Sequence, residues 1–367
     1  MSIKKAIISG GGTGGHIFPA IAIANRIKKE NPDAEILFIG AEGKMEMEKV
    51  PAAGYKIKGL PIRGFQRKFS LSNFLLPFKI IQSMWKARKI IKKFNPDIVV
   101  GVGGYASGPT LQMATMLKKP AVIQEQNSFA GKTNKILGSK VDKVCVAYEG
   151  MEAFFPKEKI VFTGNPVREN VVSIEGKRKE ALDFFGLDEN KKTFLVVGGS
   201  LGARTLNNCL KTKLKLLQED QIQLIWQCGK YQYKDLKAEL INRNMEGIIL
   251  TDFISRMDLA YAAADAVVSR AGAIAVSELS LVGKPCILVP SPNVAEDHQT
   301  KNAMALVEKN AAIMIPDKEG QEKMIPAMLN LIKDDNQQKK LSENILKMGV
   351  KSADKKIIAV INNVLKK

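Results

Sequence analysis

The chain has 367 residues, 45% hydrophobic and 25% charged, a composition ordinary for a soluble globular protein and a length that fits two domains. Its four cysteines (Cys145, Cys209, Cys228, Cys286) form no C-x-x-C pair, which argues against a zinc site or a disulfide framework and fits a reducing cytosol. The net charge of +19 asks for an anionic partner: nucleic acid, anionic lipid or a phosphorylated substrate.

From the N-terminus, Met1-Ser2-Ile3-Lys4-Lys5 is basic, but only Ala6-Ile7-Ile8 follows, too short for a signal-peptide h-region. No window approaches the length of a membrane span, so none is expected. Strands are predicted at Lys5–Ser9, Glu35–Ile39, Ile98–Val102, Ala121–Gln124, Lys143–Ala147 and Lys159–Thr163. Helices are predicted at Pro19–Glu30, Ile80–Phe94 and Ser107–Leu117. This alternation means a parallel, doubly wound sheet. Residues 165–192 read as a linker with one helix, Lys177–Phe185. The alternation then restarts, with strands at Phe194–Val197, Gln223–Gln227, Ile248–Thr251, Ala266–Ser269, Cys286–Val289 and Ala312–Ile315. The intervening helices are Thr205–Leu217, Tyr231–Asn242, Met257–Ala264, Ile274–Val282, Gln299–Lys309 and Gln321–Lys333. Residues 336–367 read as helical, with a break near Gly349.

Two glycine-rich loops of the same kind lie about half the chain apart. Gly10-Gly11-Gly12-Thr13-Gly14-Gly15-His16 follows the first strand, and Gly198-Gly199-Ser200-Leu201-Gly202-Ala203 follows Phe194–Val197. A strand–glycine turn–helix leaves backbone N–H groups free to meet an anion. Gly10-x-Gly12-x-x-Gly15 also matches the dinucleotide fingerprint, for which Glu42 is a late candidate for the ribose acid. His16 is out of place in such a loop, where it would crowd a pyrophosphate.

His16 and His298 are the only histidines. An imidazole near pKa ~6.5 suits general-base work; the plainer reading of each is a polar helix-start residue. Ser200 offers a hydroxyl beside free amides, either to a phosphate or as an N-cap for the helix from Thr205. Glu278, one turn beyond Ile274, is placed either to accept from two ribose hydroxyls or to lie on a helix surface.

Seven motifs in order carry a resemblance: Gly11–His16, Gly103-Gly104-Tyr105-Ala106-Ser107-Gly108-Pro109, Glu125-Gln126-Asn127, Gly164-Asn165-Pro166-Val167-Arg168, Gly198–Ala203, Ser269-Arg270-Ala271-Gly272 and Asp297-His298-Gln299-Thr300-Lys301-Asn302-Ala303. The set resembles the MurG family of peptidoglycan UDP-N-acetylglucosamine transferases over nearly the whole chain. The resemblance implies an α/β GT-B fold: two Rossmann-like, doubly wound parallel-sheet domains facing an interdomain cleft. It implies an acceptor and membrane-docking domain over 1–164, a UDP-GlcNAc domain over 165–349, and a final helix, 350–367, returning to the first domain. The reaction it implies is inverting transfer of GlcNAc to the MurNAc C4 hydroxyl of undecaprenyl-diphospho-MurNAc-pentapeptide.

Carried onto this chain, the resemblance gives Arg168 and Ser200 the diphosphate and Glu278 the ribose. Phe253, Ile254 and Met257 line the uracil or cap the site, and Ala273 and Ile274 put amides against the diphosphate. His298, Gln299 and Asn302 surround the sugar. Thr13, Gly14 and Asn127 join the donor set, Asn127 also lining the acceptor side with Gly15, Tyr105 and Ser107. His16 is the expected base, with Glu125 in reserve. Ala275 and Leu201 depart from the Thr and Gln of some members. No D-x-D pair is suitably placed, so no metal and no cofactor is expected. The helix N-terminus at Gly202–Thr205, Ser200 and Arg168 are expected to stabilise the leaving UDP instead. On this view the first loop cradles the acceptor's diphosphate and reacting sugar.

Between Lys49 and Pro96 there is no Asp or Glu, while Lys and Arg recur among Phe65, Phe69, Phe74, Phe78 and Trp85. This reads as a surface resting on the anionic cytoplasmic leaflet, making the protein peripheral to the cell membrane. The plainer reading makes Ile80, Ile81, Met84, Ile90 and Ile91 core residues of an amphipathic helix. Nucleic acid is not expected as a partner. Three other functions stay open at this point: another UDP-sugar transferase with a glycolipid acceptor, a dinucleotide oxidoreductase, and a non-catalytic membrane-docked scaffold.

Overall fold

A computed structural model describes residues 3–62, 76–199 and 201–366. The chain forms two compact units: Met1–Val167 with Lys351–Lys367, and Arg168–Val350.

The first unit holds a seven-stranded parallel sheet: β1 (Lys5–Ser9), β2 (Glu35–Ala41), β3 (Lys56–Leu60), β4 (Ile98–Gly101), β5 (Ala121–Glu125), β6 (Lys143–Val146) and β7 (Ile160–Phe162). Their order is β3-β2-β1-β4-β5-β6-β7, so the direction of winding reverses between β1 and β4. The central strands are continuous apolar runs because both faces are covered. One face packs Ile7, Ile39, Val99 and Ile123 with Ala87, Ile91, Leu111 and Leu137; the other packs Ile8, Phe38, Val100 and Cys145 with Ile17, Ile23 and Ile27.

The helices of this unit are α1 (Gly14–Glu30), α2 (Glu46–Ala52), α3 (Leu76–Phe94), α4 (Ser107–Met116) and α5 (Lys132–Gly138). The last helix of the chain, Ala353–Leu365, packs Ile357, Ile358 and Ile361 into the core around α1. Helix α1 begins at Gly14 rather than at Pro19. The His16 and Ile17 amides donate to the Thr13 carbonyl, and Pro19 stands inside the helix as its sixth residue, where it removes the bond to the Gly15 carbonyl. The strand β3 and the helices α2 and α5 are additions to the sequence reading. Lys56-Ile57-Lys58-Gly59-Leu60 is a short edge strand with exposed lysines, which gives little apolar signal.

The second unit has α6 (Glu169–Val172), α7 (Arg178–Phe185), β8 (Thr193–Val197), α8 (Arg204–Glu219), β9 (Gln223–Gln227), α9 (Tyr233–Leu240) and β10 (Ile248–Thr251). It continues through α10 (Met257–Ala263), β11 (Ala266–Ser269), α11 (Ala273–Val282), β12 (Cys286–Leu288), α12 (His298–Val307), β13 (Ile313–Met314), α13 (Gly320–Lys333) and α14 (Asp335–Lys347). The helix Ala353–Leu365, in the first unit, is α15. The six-stranded parallel sheet runs β10-β9-β8-β11-β12-β13, with its switch point between β8 and β11. The predicted linker region is therefore ordered: α6 and α7 belong to this domain, and α7 packs on α10.

In each domain the glycine loop is pinned by direct backbone contact. A Cβ on Gly104 (φ 87°) would overlap the Gly11 carbonyl, and one on Gly202 (φ 81°) would overlap the Cys228 carbonyl. Both positions need the left-handed region and a missing side chain at once.

Candidate active site

In open parallel sheets ligands bind beyond the carboxyl ends of the strands, at the switch point. In the first domain that edge carries the 10–16 loop, the Gly103–Tyr105 turn after β4 and the Glu125–Asn127 turn after β5.

The first glycine loop is not an open anion cradle. The Gly10 amide donates to the Ile39 carbonyl, the Gly11 amide to the Gly103 carbonyl, and the Gly12 amide to Oε2 of Glu46 at 2.8 Å. Oε1 of Glu46 accepts from the Ala41 amide at 2.9 Å. A buried carboxylate thus engages the loop from below, and the expected diphosphate cradle is lost for these amides. Thr13, Gly14 and Gly15 carry the remaining part of the turn into α1. Glu42, the late candidate for a ribose acid, is paired with Lys86 at 2.6 Å.

His16 lies in the first turn of α1. Its Nδ1 is 2.9 Å from Oε1 of the buried Gln126. A Cβ on Gly103 would come within 2.9 Å of the imidazole Cε1, so the bare glycine leaves room for the ring against the turn. Tyr105 is half exposed beside it. Ser107, expected on the acceptor side, is fully buried; its hydroxyl lies over Gly101, without a hydrogen-bond partner among the described residues.

Glu125 is also buried, and four donors ring it: the Asn127 amide (3.0 Å), Asn127 Nδ2 (3.2 Å), the Gly131 amide (3.0 Å) and Asn134 Nδ2 (2.8 Å). A carboxylate has about four lone-pair positions. Those of Glu125 are engaged in folding the 127–131 turn.

In the second domain, the loops after β8 and β11 flank the switch point. Ser200 lies outside the described residues. The N-cap position of α8 is taken by Ala203, not by a serine, and that of α11 by Gly272. Among the described residues neither helix has a side-chain cap or an acid in its first turn. Their first-turn amides face the loop edge as positive dipole ends. Ala273 and Ile274 open α11.

Glu278 is 8% exposed on α11, and the Tyr261 hydroxyl donates to its Oε2 at 3.1 Å. Burial raises the Glu278 carboxyl pKa, while the charge of Arg168 and the Tyr261 hydrogen bond oppose that rise. Burial also pushes the Tyr261 phenol well up. Arg168, the N-cap of α6, is thus close enough to be felt by both groups.

Beyond β10, Phe253 is exposed, its amide tied to the Thr251 hydroxyl, while Ile254 is buried and Met257 opens α10. At the start of α12, Gln299 Oε1 accepts from the Ser291 amide at 2.8 Å and Asn302 Nδ2 donates to the Ala271 carbonyl at 3.2 Å. These two amides brace the loops on either side of His298. Leu201 is exposed and Ala275 half-buried.

Two residues share this edge that the sequence reading gave no role, Arg270 of the Ser269–Gly272 motif and Asn207, which it did not single out. Arg270 donates to the carbonyls of Val289 and Pro290 and to Asp317, whose other oxygen accepts from Thr205 in the first turn of α8. Asn207 joins α8 to β9, accepting from Trp226 Nε1 and donating to the Cys228 carbonyl. Their polarity inside apolar stretches is the signal that could have found them.

The glycosyltransferase family 28 N-terminal domain matches residues 6–146, and the glycosyltransferase family 28 C-terminal domain matches 193–357. A protein of Parabacteroides distasonis, named UDP-N-acetylglucosamine--N-acetylmuramyl-(pentapeptide) pyrophosphoryl-undecaprenol N-acetylglucosamine transferase, is 56% identical over 99% of both chains. A protein of the same name from Flavobacterium psychrophilum is 52% identical over 98% of this chain and 97% of its own. The crystal structure of Acinetobacter baumannii MurG superposes with a TM-score of 0.79 at 28% identity, covering 98% of this chain and 99% of that one.

Proposed function

This chain belongs to glycosyltransferase family 28, as a MurG-type transferase, and from that membership we infer its reaction: it moves N-acetylglucosamine from UDP-N-acetylglucosamine to the N-acetylmuramyl-(pentapeptide) group of a pyrophosphoryl-undecaprenol acceptor. It is an enzyme of peptidoglycan synthesis, and neither an oxidoreductase nor a scaffold.

The observation that carries the donor half is that two helix N-termini, without a side-chain cap among the described residues, lie at one switch point with a buried carboxylate that feels an arginine. In our reading the amides of α8 and α11, with Arg168 and Ser200, take the negative charge that develops on the departing UDP. This is electrostatic stabilisation by groups already in place before the reaction begins. Glu278, held by Tyr261, accepts from the ribose hydroxyls. Phe253, Ile254 and Met257 take the uracil, and His298 with Gln299 and Asn302 reads the sugar.

For the acceptor half, His16 is the base. The MurNAc C4 oxygen attacks the anomeric carbon, its proton passes to the imidazole, and the bond to the UDP oxygen breaks with inversion. Glu125 has a supporting part, shaping the turn that carries Asn127. His16→Ala is expected to lower kcat by roughly 10²–10⁴-fold, the usual size of a general-base contribution.

We assign membrane docking to the exposed stripe of α3. Phe78, Ile81 and Trp85 recur at helical spacing, Phe78 being 71% and Trp85 68% exposed, and Arg88, Lys89, Lys92 and Lys93 follow. The neighbouring α4 and α5 add exposed Met116 and Ile136, which the basic stretch did not point to. Phe65, Phe69 and Phe74 lie outside the described residues. No helix among the described residues is long and apolar enough to cross a membrane. Docking on the cytoplasmic leaflet supplies access to a lipid-anchored acceptor.

The test is transfer of labelled GlcNAc from UDP-GlcNAc to a lipid I analogue. Formation of the disaccharide product with release of UDP is the expected result. Failure to transfer with both substrates bound would overturn the reading.

A further inference from the structure

The two polar groups of Gln126 face different neighbours, and that difference decides which nitrogen of His16 carries the proton. Gln126 is 1% exposed. Its Nε2 donates to the carbonyl of Val102 at 2.9 Å, to that of Gln124 at 2.9 Å, and to Oε1 of Gln124. Turning the amide over would set its oxygen against three oxygens. The group therefore has one orientation, and it is the oxygen, Oε1, that meets His16 Nδ1.

The lock extends further back. Gln124 Nε2 donates to Oδ1 of Asn165 at 2.9 Å, and Asn165 Nδ2 donates to the Gln126 carbonyl at 3.0 Å. Gln126, Gln124 and Asn165 thus form a chain of buried amides that ends on the Gln126 backbone carbonyl, and it holds Gln124 Oε1 toward Gln126 Nε2.

An amide oxygen accepts and cannot donate, so the imidazole nitrogen facing it must carry hydrogen. In neutral imidazole the other nitrogen then holds the lone pair. We propose that Gln126 is a positioning residue that holds His16 as the Nδ1–H tautomer and so makes Nε2 the proton-accepting nitrogen. The proposal rests on the reading of His16 as the base.

The choice of an amide over a carboxylate has a chemical consequence. A carboxylate at this distance would favour the imidazolium and raise its pKa, leaving the base already protonated at neutral pH. The amide oxygen gives orientation without charge. The close approach to Gly103 limits where the ring can sit, and Gln126 fixes its protonation pattern.

The experiment uses the full chain labelled with ¹⁵N-histidine. With only His16 and His298 present, the long-range ¹H–¹⁵N spectrum is assigned by one His298→Ala comparison. The wild type should show a protonated Nδ1 and a pyridine-like Nε2 at His16. Gln126→Leu should shift His16 toward the Nε2–H form that imidazole prefers in water. Its kcat should fall about 10- to 100-fold, the usual loss when the partner orienting a functional histidine is removed, with KM little changed. Gln126→Glu keeps the shape; the three oxygens that face its second oxygen hold it as the neutral acid, its carbonyl oxygen still meets His16, and the Nδ1–H form should be retained.

An Nε2–H form in the wild type, or an unchanged tautomer in Gln126→Leu, overturns the proposal. If Gln126→Leu does not fold, loss of the Nδ1–H form in Gln126→Glu overturns it instead. A tautomer that follows Gln126 while His16→Ala keeps its kcat supports the positioning and refutes the base assignment, so the two ideas fail separately.

Discussion

Oε2 of Glu46 accepts from the backbone amide of Gly12 at 2.8 Å, so the first glycine loop carries an anion of its own. The fingerprint Gly10-x-Gly12-x-x-Gly15 is present as a string, yet an internal carboxylate engages the loop amide that a pyrophosphate would seek. Glu46→Ala removes the partner of the part-buried Gly12 amide and leaves the buried Ala41 amide unpaired, the latter at a cost of about 1–3 kcal/mol. A fall of several degrees in melting temperature and a loss of kcat are expected. Thermal-shift measurements should also find that UDP stabilises the wild type and NAD does not.

Tyr261 holds one oxygen of Glu278 and should act through donor affinity. Tyr261→Phe removes a single hydrogen bond, worth about 1 kcal/mol. The KM for UDP-GlcNAc should therefore rise about fivefold, with kcat nearly unchanged. Glu278 adds a pH dependence. Its carboxyl pKa is raised by burial, so its contribution to folding is present below the unfolded carboxyl pKa and is lost as pH rises through the folded value. Donor binding has the opposite sense, because the ribose hydroxyls need the ionised form. Calorimetric titration with UDP should weaken as pH falls through the raised pKa, and Glu278→Gln should be weak and flat across that window.

Asp258 ties the start of α10 to α7. It pairs with Arg256 and with Lys177, each at 2.9 Å, and Arg256 also reaches Glu180. Hydrogen bonds from Arg256 hold the Asp258 carboxyl well below the usual carboxylate range. The stability it adds is present above the unfolded pKa, ~3.9, and is lost as pH falls through the folded value. Asp258→Asn should cost about 1 kcal/mol at pH 7, discounted for the exposure of Arg256. Urea midpoints of the two proteins should converge in strong acid.

Phe78→Ser with Trp85→Ser should reduce flotation with vesicles rich in phosphatidylglycerol and leave turnover of a short-chain, water-soluble acceptor unchanged. Reversing Arg88, Lys89, Lys92 and Lys93 to Glu should have a larger effect at low salt, since each basic residue near the surface contributes about 1 kcal/mol. Equal binding of the wild type to neutral and anionic vesicles would defeat the docking assignment.

The apolar runs made the sheets legible: Lys5–Ser9, Gln223–Gln227, Ile248–Thr251 and Ala266–Ser269 have the bounds that their patterns predict. Patterning located the loop edges for the same reason, because a parallel strand must end where its apolar run does. It did not reveal what supports the loops. Glu46 lies on a short helix with no apolar stripe long enough to register, and its role appears only when α2 folds under the 10–13 turn. Gln126 is one polar residue between Glu125 and Asn127, and its meaning depends on Val102, Gln124 and Asn165, which the fold brings to it. Ser107 misled in the opposite way, since a hydroxyl in a glycine-rich motif looks like a ligand and is in fact packed beneath the turn.

The glycine contacts at Gly104 and Gly202 bear on how this enzyme could be changed. Where backbone meets backbone there is no side chain to trim or enlarge, so the loop floors offer directed evolution no gradual steps. Substitutions there should be all-or-nothing. On the proposed placing of the sugar at α12, variation that retunes its choice would have to come from His298, because Gln299 and the buried Asn302 are bonded to the Ser291 amide and the Ala271 carbonyl and belong to the frame. A mutagenesis library at position 298 would sample specificity while leaving those braces intact.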